Sequence, residues 1–579
     1  MATGKGVRLA ELRVLEGPNL YFTRPAIKVS LEVPGWVELD EARAAALAAA
    51  VGLRGADAAA SPASRIRPGL PRTQHRLRFI ARLAAHVARS LASASGKSLA
   101  VRSRPGPDAG TVVLAYPWRR RDSAEALGRE VAGLLGAILG PRRSFGRLVT
   151  ESVRRLEAIE PGPAPSVPEP RIPVIAVTGT NGKTTTVRAL AHVIRSAGLD
   201  VSYSSTDGVY FNDRLVQEGD YSGFGGAARA LAEPGVDVAV LETARGGILL
   251  RGIGTMHNDV AVVTNISADH LGLHGITSLD QLAEVKATIT RITRPEGWDV
   301  LNADDPRVLA MRRGASGRPW IFSRDPDHPA VRAAVTEGGR ATTVIDGQLT
   351  YLTAGMRSHA LLPLEDIPLT LAGISTHNTQ NAMAVASAAL GIGLSDDLVA
   401  KGLRTFVLDP ETNPGRTNLF ELDGRIVVAD YAHNEAGMAG LVETCRGLQA
   451  PGGKIWLAFC TAGDRTNEIL HGMGYLAARG ADHVAVAELL HYLRGRSRED
   501  LVERLKAGAI DGGATDVPVF EDEMHALLWM LDSSRTRDVV AVTALIQRPE
   551  IFALMSERGG VRIGPARVRQ LVRRAKARR

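Results

Sequence analysis

The stretch Gly179-Thr-Asn-Gly-Lys-Thr-Thr185 carries the residue types that hold a polyphosphate. Gly179 and Gly182 permit a tight turn in which backbone N–H groups point inward at an anion. Lys183 adds a compact positive charge, and Thr184 a hydroxyl suited to Mg²⁺. The strict pattern G-x-x-x-x-G-K-[ST] is not met, because Val177 stands where its first glycine would be. The flanks supply the context the loop needs. Val174 to Val177 read as a short buried strand bounded by Pro173 and Gly179, and Val187, Leu190, Ala191, Val193 and Ile194 repeat at helical spacing until Gly198.

Further polar groups stand at the ends of apolar runs. Val236–Leu241 and Val260–Thr264 have the composition of buried parallel strands. Glu242 follows the first, and Asn265, Asp269 and His270 follow the second. In an open α/β sheet ligands bind beyond the carboxyl ends of the strands, so these groups are expected around the glycine loop. Thr184, Glu242 and His270 are the donors predicted for Mg²⁺, which takes few protein ligands and keeps waters and phosphate oxygens. His274 reads as structural. Lys286, flanked by Val285, Ala287 and Ile289, reads from composition alone as a surface lysine laying its stem on an apolar stripe. Asp299–Pro306 is a third strand ending in polar groups. Gly415-Arg416 presents a guanidinium suited to phosphate, and Asp430-Tyr-Ala-His433 and Gly463-Asp-Arg465 each follow a strand.

The elements that position these groups require several domains, since 579 residues exceed one core. Residues 1–150 read as a compact α+β region: a strand over Ala26–Val33, a helix over Leu77–Ser95, a strand over Thr111–Tyr116 and a helix over Ala124–Leu139. Glu160–Pro170 holds five prolines in eleven residues and reads as a stiff linker. From about Val407, strands at Ile426–Ala429, Ile455–Phe459, His483–Ala487 and Val539–Val542 alternate with helical segments, the pattern of a second α/β unit. Cys445 and Cys460 are the only cysteines, which excludes a disulfide framework, and together with the absence of a signal-peptide-like start it predicts a cytoplasmic protein. No apolar run is long enough to span a bilayer, so no membrane partner is expected. The net charge of +8 resides in residues 562–579, which carry eight basic residues and no acid. Val568, Leu571 and Val572 let that tail dock one helix face. Aromatic content of 4% argues against a nucleic-acid surface.

Together the motifs resemble the Mur ligase superfamily, the ATP-dependent amide-forming enzymes of peptidoglycan-precursor and folylpolyglutamate synthesis. They are Thr178–Thr185, Asn302-Ala-Asp-Asp-Pro306, His377-Asn378 with Asn381, Pro414-Gly-Arg416 and Asp430–His433. Thr206-Asp-Gly-Val-Tyr210, Leu241-Glu-Thr-Ala-Arg-Gly-Gly-Ile248, Thr264–Gly272, Glu16-Gly-Pro-Asn-Leu-Tyr21 and the helix at His86–Ala88 are similar to the cyanophycin synthetases. The resemblance implies an α/β chain with a small α+β N-terminal domain (1–158), a Pro-rich linker (159–171), a P-loop central ATP-binding domain with a parallel sheet (172–406) and a Rossmann-like C-terminal domain with the basic tail (407–579). It implies that Gly179, Thr180, Asn181, Gly182, Lys183, Thr184 and Thr185 hold ATP phosphates. Thr184, Glu242, His270 and Lys286 would serve Mg²⁺, with Lys286 carbamylated. Asn302, Arg416 and Asp430 would meet adenine, γ-phosphate and ribose, with His377, Asn378, Asn381 and His433 on the nucleotide side. Lys183, Lys286, Arg416 and His270 are the expected catalytic groups.

The expected reaction joins an amino acid, with arginine one candidate, to a carboxylate of a peptide or polyaspartate-like acceptor through an acyl phosphate. Three departures bear on this. The linker leads straight into the P-loop strand, where cyanophycin synthetases carry an ATP-grasp domain. Ala85 stands where the family usually has glutamate, and Tyr492 precedes Leu493-Arg-Gly-Arg496 in place of an acid. A separate ATP-grasp enzyme is therefore an expected partner. The alternative is a catalytically silent Mur-like scaffold working with such an enzyme. Self-association is left open by the sequence.

Overall fold

The computed structural model describes residues 6–53, 67–140, 144–269 and 271–576. The first domain is an antiparallel sheet in the order Arg8–Leu15, Ala26–Glu32, Thr111–Pro117, Arg102–Pro105. Helices Gln74–Ala94, Arg121–Ile138 and Phe145–Glu157 complete it. The helical spacing of Phe79, Ile80, Leu83, Val87 and Leu91 puts all five on the buried face, where they pack with Ile27, Leu31, Trp36 and Tyr116. Residues 158–173 then run without helix or strand into the second domain.

The second domain is built on an eleven-stranded sheet. Its parallel centre runs Arg340–Ile345, Arg318–Phe322, Thr293–Asn302, Asn258–Val263, Val174–Thr178, Val238–Glu242, Val201–Ser204. Antiparallel hairpins extend both edges, Gln348–Thr353 with Arg357–Pro363 on one side and Gly208–Phe211 with Arg214–Glu218 on the other. Val174–Thr178 is buried along its whole length, so it reads as an unbroken apolar run. Because its neighbours are parallel to it, Glu242 and the 264–269 segment emerge at the same edge as the glycine loop.

The third domain has a seven-stranded sheet in the order Val519–Phe520, His483–Ala487, Ile455–Phe459, Val539–Thr543, Arg425–Asp430, Asn418–Leu422, Val561–Arg562. Its first five strands are parallel, and the last two are antiparallel additions. The basic tail forms helix Pro565–Lys576, with Val568, Leu571 and Val572 buried as the spacing predicts. Arg567 pairs with Glu421 of its own domain, while Arg569 and Arg573 reach Asp366 and Glu365 of the second domain.

The Glu16-Gly-Pro-Asn19 turn docks the first domain on the second. Ile253 N–H donates to Pro18 O at 2.7 Å, and Arg251 pairs with Glu16 at 2.8 Å. A Cβ on Gly17 would overlap the Ile253 carbonyl, so the approach requires glycine there. Among the described residues no helix is long and apolar enough to cross a membrane.

Candidate active site

The glycine loop lies at the carboxyl end of the central strand and opens the helix Lys183–Ser196. Gly182 has φ +84°, and a Cβ there would run into Asn381 Oδ1; a Cβ on Gly179 would run into Thr264 Oγ1. The loop is sewn to the neighbouring strand end. Asn181 N–H donates to Asn265 Oδ1 at 2.9 Å, and Thr264 Oγ1 and Asn265 Nδ2 donate to Asn181 O at 2.7 and 3.0 Å. A preset loop of this kind presents backbone donors to an anion at a helix N-terminus without having to order on binding.

Above the loop is a cleft of about 520 Å³ between the second and third domains. Residues Gly179 to Thr185, Glu242, Lys286, His377, Asn378, Arg416, Asp430 and His433 all line it. Lys183 Nζ donates to Thr180 O at 2.9 Å. Thr184 Oγ1 donates to Glu242 Oε2 at 2.8 Å, while Glu242 Oε1 is buried and without a hydrogen-bond partner. Burial pushes the Glu242 carboxyl above its ordinary value, opposed by Lys183 and Arg416. A carboxyl oxygen left unused beside a hydroxyl is a sparse donor set of the type Mg²⁺ accepts. No group of three or more His, Cys, Asp or Glu gathers among the described residues, so a metal here would rely on phosphate oxygens and water as well.

Lys286 corrects the reading from composition. It is 4% exposed, not a surface residue, and its Nζ donates to Gly179 O at 2.6 Å. The helix Leu279–Lys286, started by a Ser278–Gln281 capping box, aims its last residue into the loop. Burial, reinforced by Lys183, pulls the Lys286 ammonium well below its usual range and so favours the neutral amine.

Two predicted nucleotide contacts lie behind the wall. Asn302 does not line the cleft: its Nδ2 donates to Thr264 O at 2.8 Å and its Oδ1 accepts from Asp304 N–H. One end of the amide braces the Thr264 segment and the other its own 302–304 segment. Asn381 donates to Asn378 Oδ1 and packs beneath Gly182, a supporting place. His270 lies outside the described residues.

From the third domain, Arg416 lies 4.8 Å over the Tyr431 ring, with its Nε buried and unpaired. Asp430 accepts from Thr417 Oγ1 at 2.7 Å, and burial raises its carboxyl. Asp207, in the loop after Val201–Ser204, faces Arg188 and Arg548 at 3.1 and 3.4 Å. Burial raises its carboxyl, but Arg416, Arg188 and Arg548 together bring it below the ordinary carboxylate value.

Sequence reasoning gave no role to Asp220, Ser222, Arg245 and Arg494, which also line the cleft. Arg245 opens the helix after Glu242, and Arg494, held at φ +47°, pairs with Asp464 at 2.6 Å. Arg245 stands inside the Leu241–Ile248 stretch that carried the resemblance, and Arg494 inside the Leu493–Arg496 stretch beside its Tyr492 departure, which are the signals that could have found them. Asp269 pairs with Arg465 across the domains at 2.9 Å, with His433 Nε2 at 3.6 Å from the same carboxylate.

Comparison with known proteins agrees with this geometry. The Mur ligase middle domain matches residues 177–389, and the Mur ligase glutamate ligase domain matches residues 415–545, together more than half of the chain. Cyanophycin synthetase of Synechocystis sp. is 38% identical over 410 residues, 70% of this chain and 45% of that protein. The chain thus spans about half the length of the curated relatives it matches. UDP-N-acetylmuramyl-tripeptide synthetase of Deinococcus radiodurans is 26% identical over 383 residues, covering 64% of this chain and 73% of that one. A solved folylpolyglutamate synthase/dihydrofolate synthase with Mn, AMPPNP and L-glutamate bound shares the fold, at TM-score 0.50 and 19% identity over 67% of this chain and 91% of that one. A glycine loop under a two-domain cleft, and two family domains matched in order along the chain, lead to one assignment: this chain belongs to the Mur ligase family.

Proposed function

We propose that the chain is an ATP-dependent carboxylate–amine ligase, joining an amino acid to a carboxylate of a peptide or polyaspartate-like acceptor through an acyl phosphate. The observation that carries the reading is the gathering, around one cleft, of Lys183, Arg416, the half-paired Glu242 and the buried Lys286. Cations and metal donors from both domains face one volume, as charge transfer from ATP to a carboxylate requires.

An acceptor carboxylate oxygen attacks the γ-phosphorus of ATP; the new C–O–P bond forms as the bond to ADP breaks. The amine nitrogen then attacks the acyl carbon, phosphate leaves with the bridging oxygen, and the ammonium proton passes to solvent. Lys183 and Arg416 neutralise the oxygens that gain charge in the first step. Lys286, whose burial favours the neutral amine, is a group that carbon dioxide can carbamylate: an N–C bond forms, a proton leaves, and the lysine becomes an anion. Mg²⁺ held by Thr184, Glu242 and that carbamate would supply Lewis-acid stabilisation to the phosphates. Asp430 and His433 would orient the nucleoside side, with His377 and Asn378 opposite. Arginine heads the amines to test, with others alongside because Tyr492 replaces the family's acid. The acceptor would be supplied by a separate carboxylate–amine ligase of the ATP-grasp class.

An acceptor labelled with ¹⁸O in its carboxylate tests the mechanism. One labelled oxygen is expected in the released phosphate for each amide formed. Amide formation with unlabelled phosphate would remove the acyl phosphate from the account.

A further inference from the structure

The backbone of Asn181 is fixed entirely within the second domain, through Asn265 and Thr264. Its side chain makes one long contact inside that domain, Nδ2 to Ser267 Oγ at 3.4 Å, and otherwise reaches across the domain boundary. Asn181 Nδ2 donates to Asn434 Oδ1 at 3.1 Å, and Asn434 Nδ2 donates back to Asn181 Oδ1 at 3.0 Å. Asn434 is fully buried, and its Oδ1 also accepts from Gly437 N–H at 2.9 Å, capping helix Glu435–Leu448. That third bond fixes which end of the amide faces which. Ala436, Gly437, Gly440, Leu441 and Thr444 of the capped helix line the cleft, and Asp430 and His433 stand directly before it.

Other bonds cross the same boundary. Glu443 accepts from Thr376 N–H and Oγ1 at 3.0 and 2.6 Å, and Asp269–Arg465 and Asp207–Arg548 are ion pairs, attractive over a wide range of orientations. Two antiparallel bonds between planar amides are not: they are lost by a small rotation of either partner. The ion pairs draw the domains together, and the amide pair is a directional contact made by the phosphate loop itself.

We propose that Asn434 is a positioning residue, whose paired amide with Asn181 registers the third domain's nucleotide-side groups on the phosphate loop. This rests on the ligase reading. Arg416 and Asp430 ride on the third domain and Lys183 on the second, so a displacement of about 1 Å between the domains separates the groups that must act on one phosphoryl. The effect belongs in kcat and not in nucleotide affinity, because the loop donors and Lys183 are untouched.

The test separates this role from helix capping. Asn434→Ser keeps a good cap but is too short to reach Asn181. Asn181→Ala removes the other half of the pair and leaves the cap intact. In each, kcat is expected to fall about 10- to 100-fold, and in Asn434→Ser, which lies outside the cleft lining, the dissociation constant of ATP by calorimetry should stay within about threefold of wild type. The double variant is expected to be no worse than the more impaired single. Additive losses, or kcat within twofold of wild type, would overturn the proposal. A second readout needs no turnover: hydrogen exchange in the full chain over residues 430–440. Asn181→Ala should speed exchange there, 253 residues away in sequence; unchanged exchange overturns the register contact. A wild type that turns nothing over, yet shows this exchange coupling, would count against the ligase reading alone.

Discussion

Arg76 in the first domain and Arg416 in the cleft each bury guanidinium nitrogen, and they use it in opposite ways. Arg76 is fully buried, and its guanidinium donates to the carbonyls of Pro68, Trp36, Leu39 and Gly69 at 2.7–3.2 Å. Arg416 lies over Tyr431 with a buried Nε that no described group accepts from. The carboxylates divide the same way. Asp299 spends one oxygen on Thr293 Oγ1 and the other on Gly317 N–H, whereas Glu242 keeps Oε1 unused. Burying a polar group without a partner costs on the order of 1–3 kcal/mol. A buried charge whose partners are complete belongs to the fold; one left partly unpaired in a cleft is stabilised when a ligand completes it.

Glu242→Gln and Arg416→Ala should each lower turnover by about 10²- to 10³-fold, while the urea unfolding midpoint stays unchanged or rises. Either variant unfolding early would make its charge structural. Arg76→Ala should do the reverse. Four carbonyls lose their donor, so the first domain should lose at least about 3 kcal/mol in urea titrations. Chains that do fold should keep the nucleotide affinity of wild type.

Asp299 sharpens the comparison through pH. Burial lifts its carboxyl to about 7, against the hydrogen bonds from Thr293 and Gly317. The folded state therefore holds this proton more tightly than the unfolded chain. Its contribution is present in full below about pH 4 and is lost as pH rises through about 7. Asp299→Asn removes the titration, so it should gain on wild type between pH 5 and 8, by on the order of 1–3 kcal/mol at pH 8. Parallel stability profiles would contradict the burial argument. The smallest effect belongs to the tail: Arg573→Ala breaks an exposed pair with Glu365 and should change stability by about 0.5 kcal/mol or less. A larger loss would make the tail helix a strap between domains.

The phosphate loop was legible because strand, glycines, lysine and helix are contiguous, and local chemistry alone dictates their order. Tail docking was legible for the same reason, since three apolar residues at helical spacing need only one face to cover. Lys286 was not legible from composition, because an amphipathic flank looks alike whether it faces solvent or a loop 107 residues away. Asn302 is implied to meet adenine by resemblance, and the bonds it makes to Thr264 O and Asp304 N–H depend on neighbours that only the fold supplies. The Asn181–Asn434 pair is the extreme case, because two ordinary asparagines acquire a role only when two domains meet. The antiparallel edges at 348–363 and 208–218 were not legible, because their strands are partly polar and lack the continuous apolar runs that mark the parallel centre.

The most direct measurement of the central claim is phosphate release from Mg²⁺·ATP by the purified full chain, across acidic acceptors and amines, with product masses read in parallel. Poly-aspartate and β-aspartyl peptides with arginine or lysine come first, and Lys183→Ala is the control. The account predicts release that requires both an acceptor and an amine, a product heavier by one amine less water, and loss of both in the control. ATP that binds with normal affinity but is not turned over by any pair would contradict it, leaving a silent Mur-like scaffold.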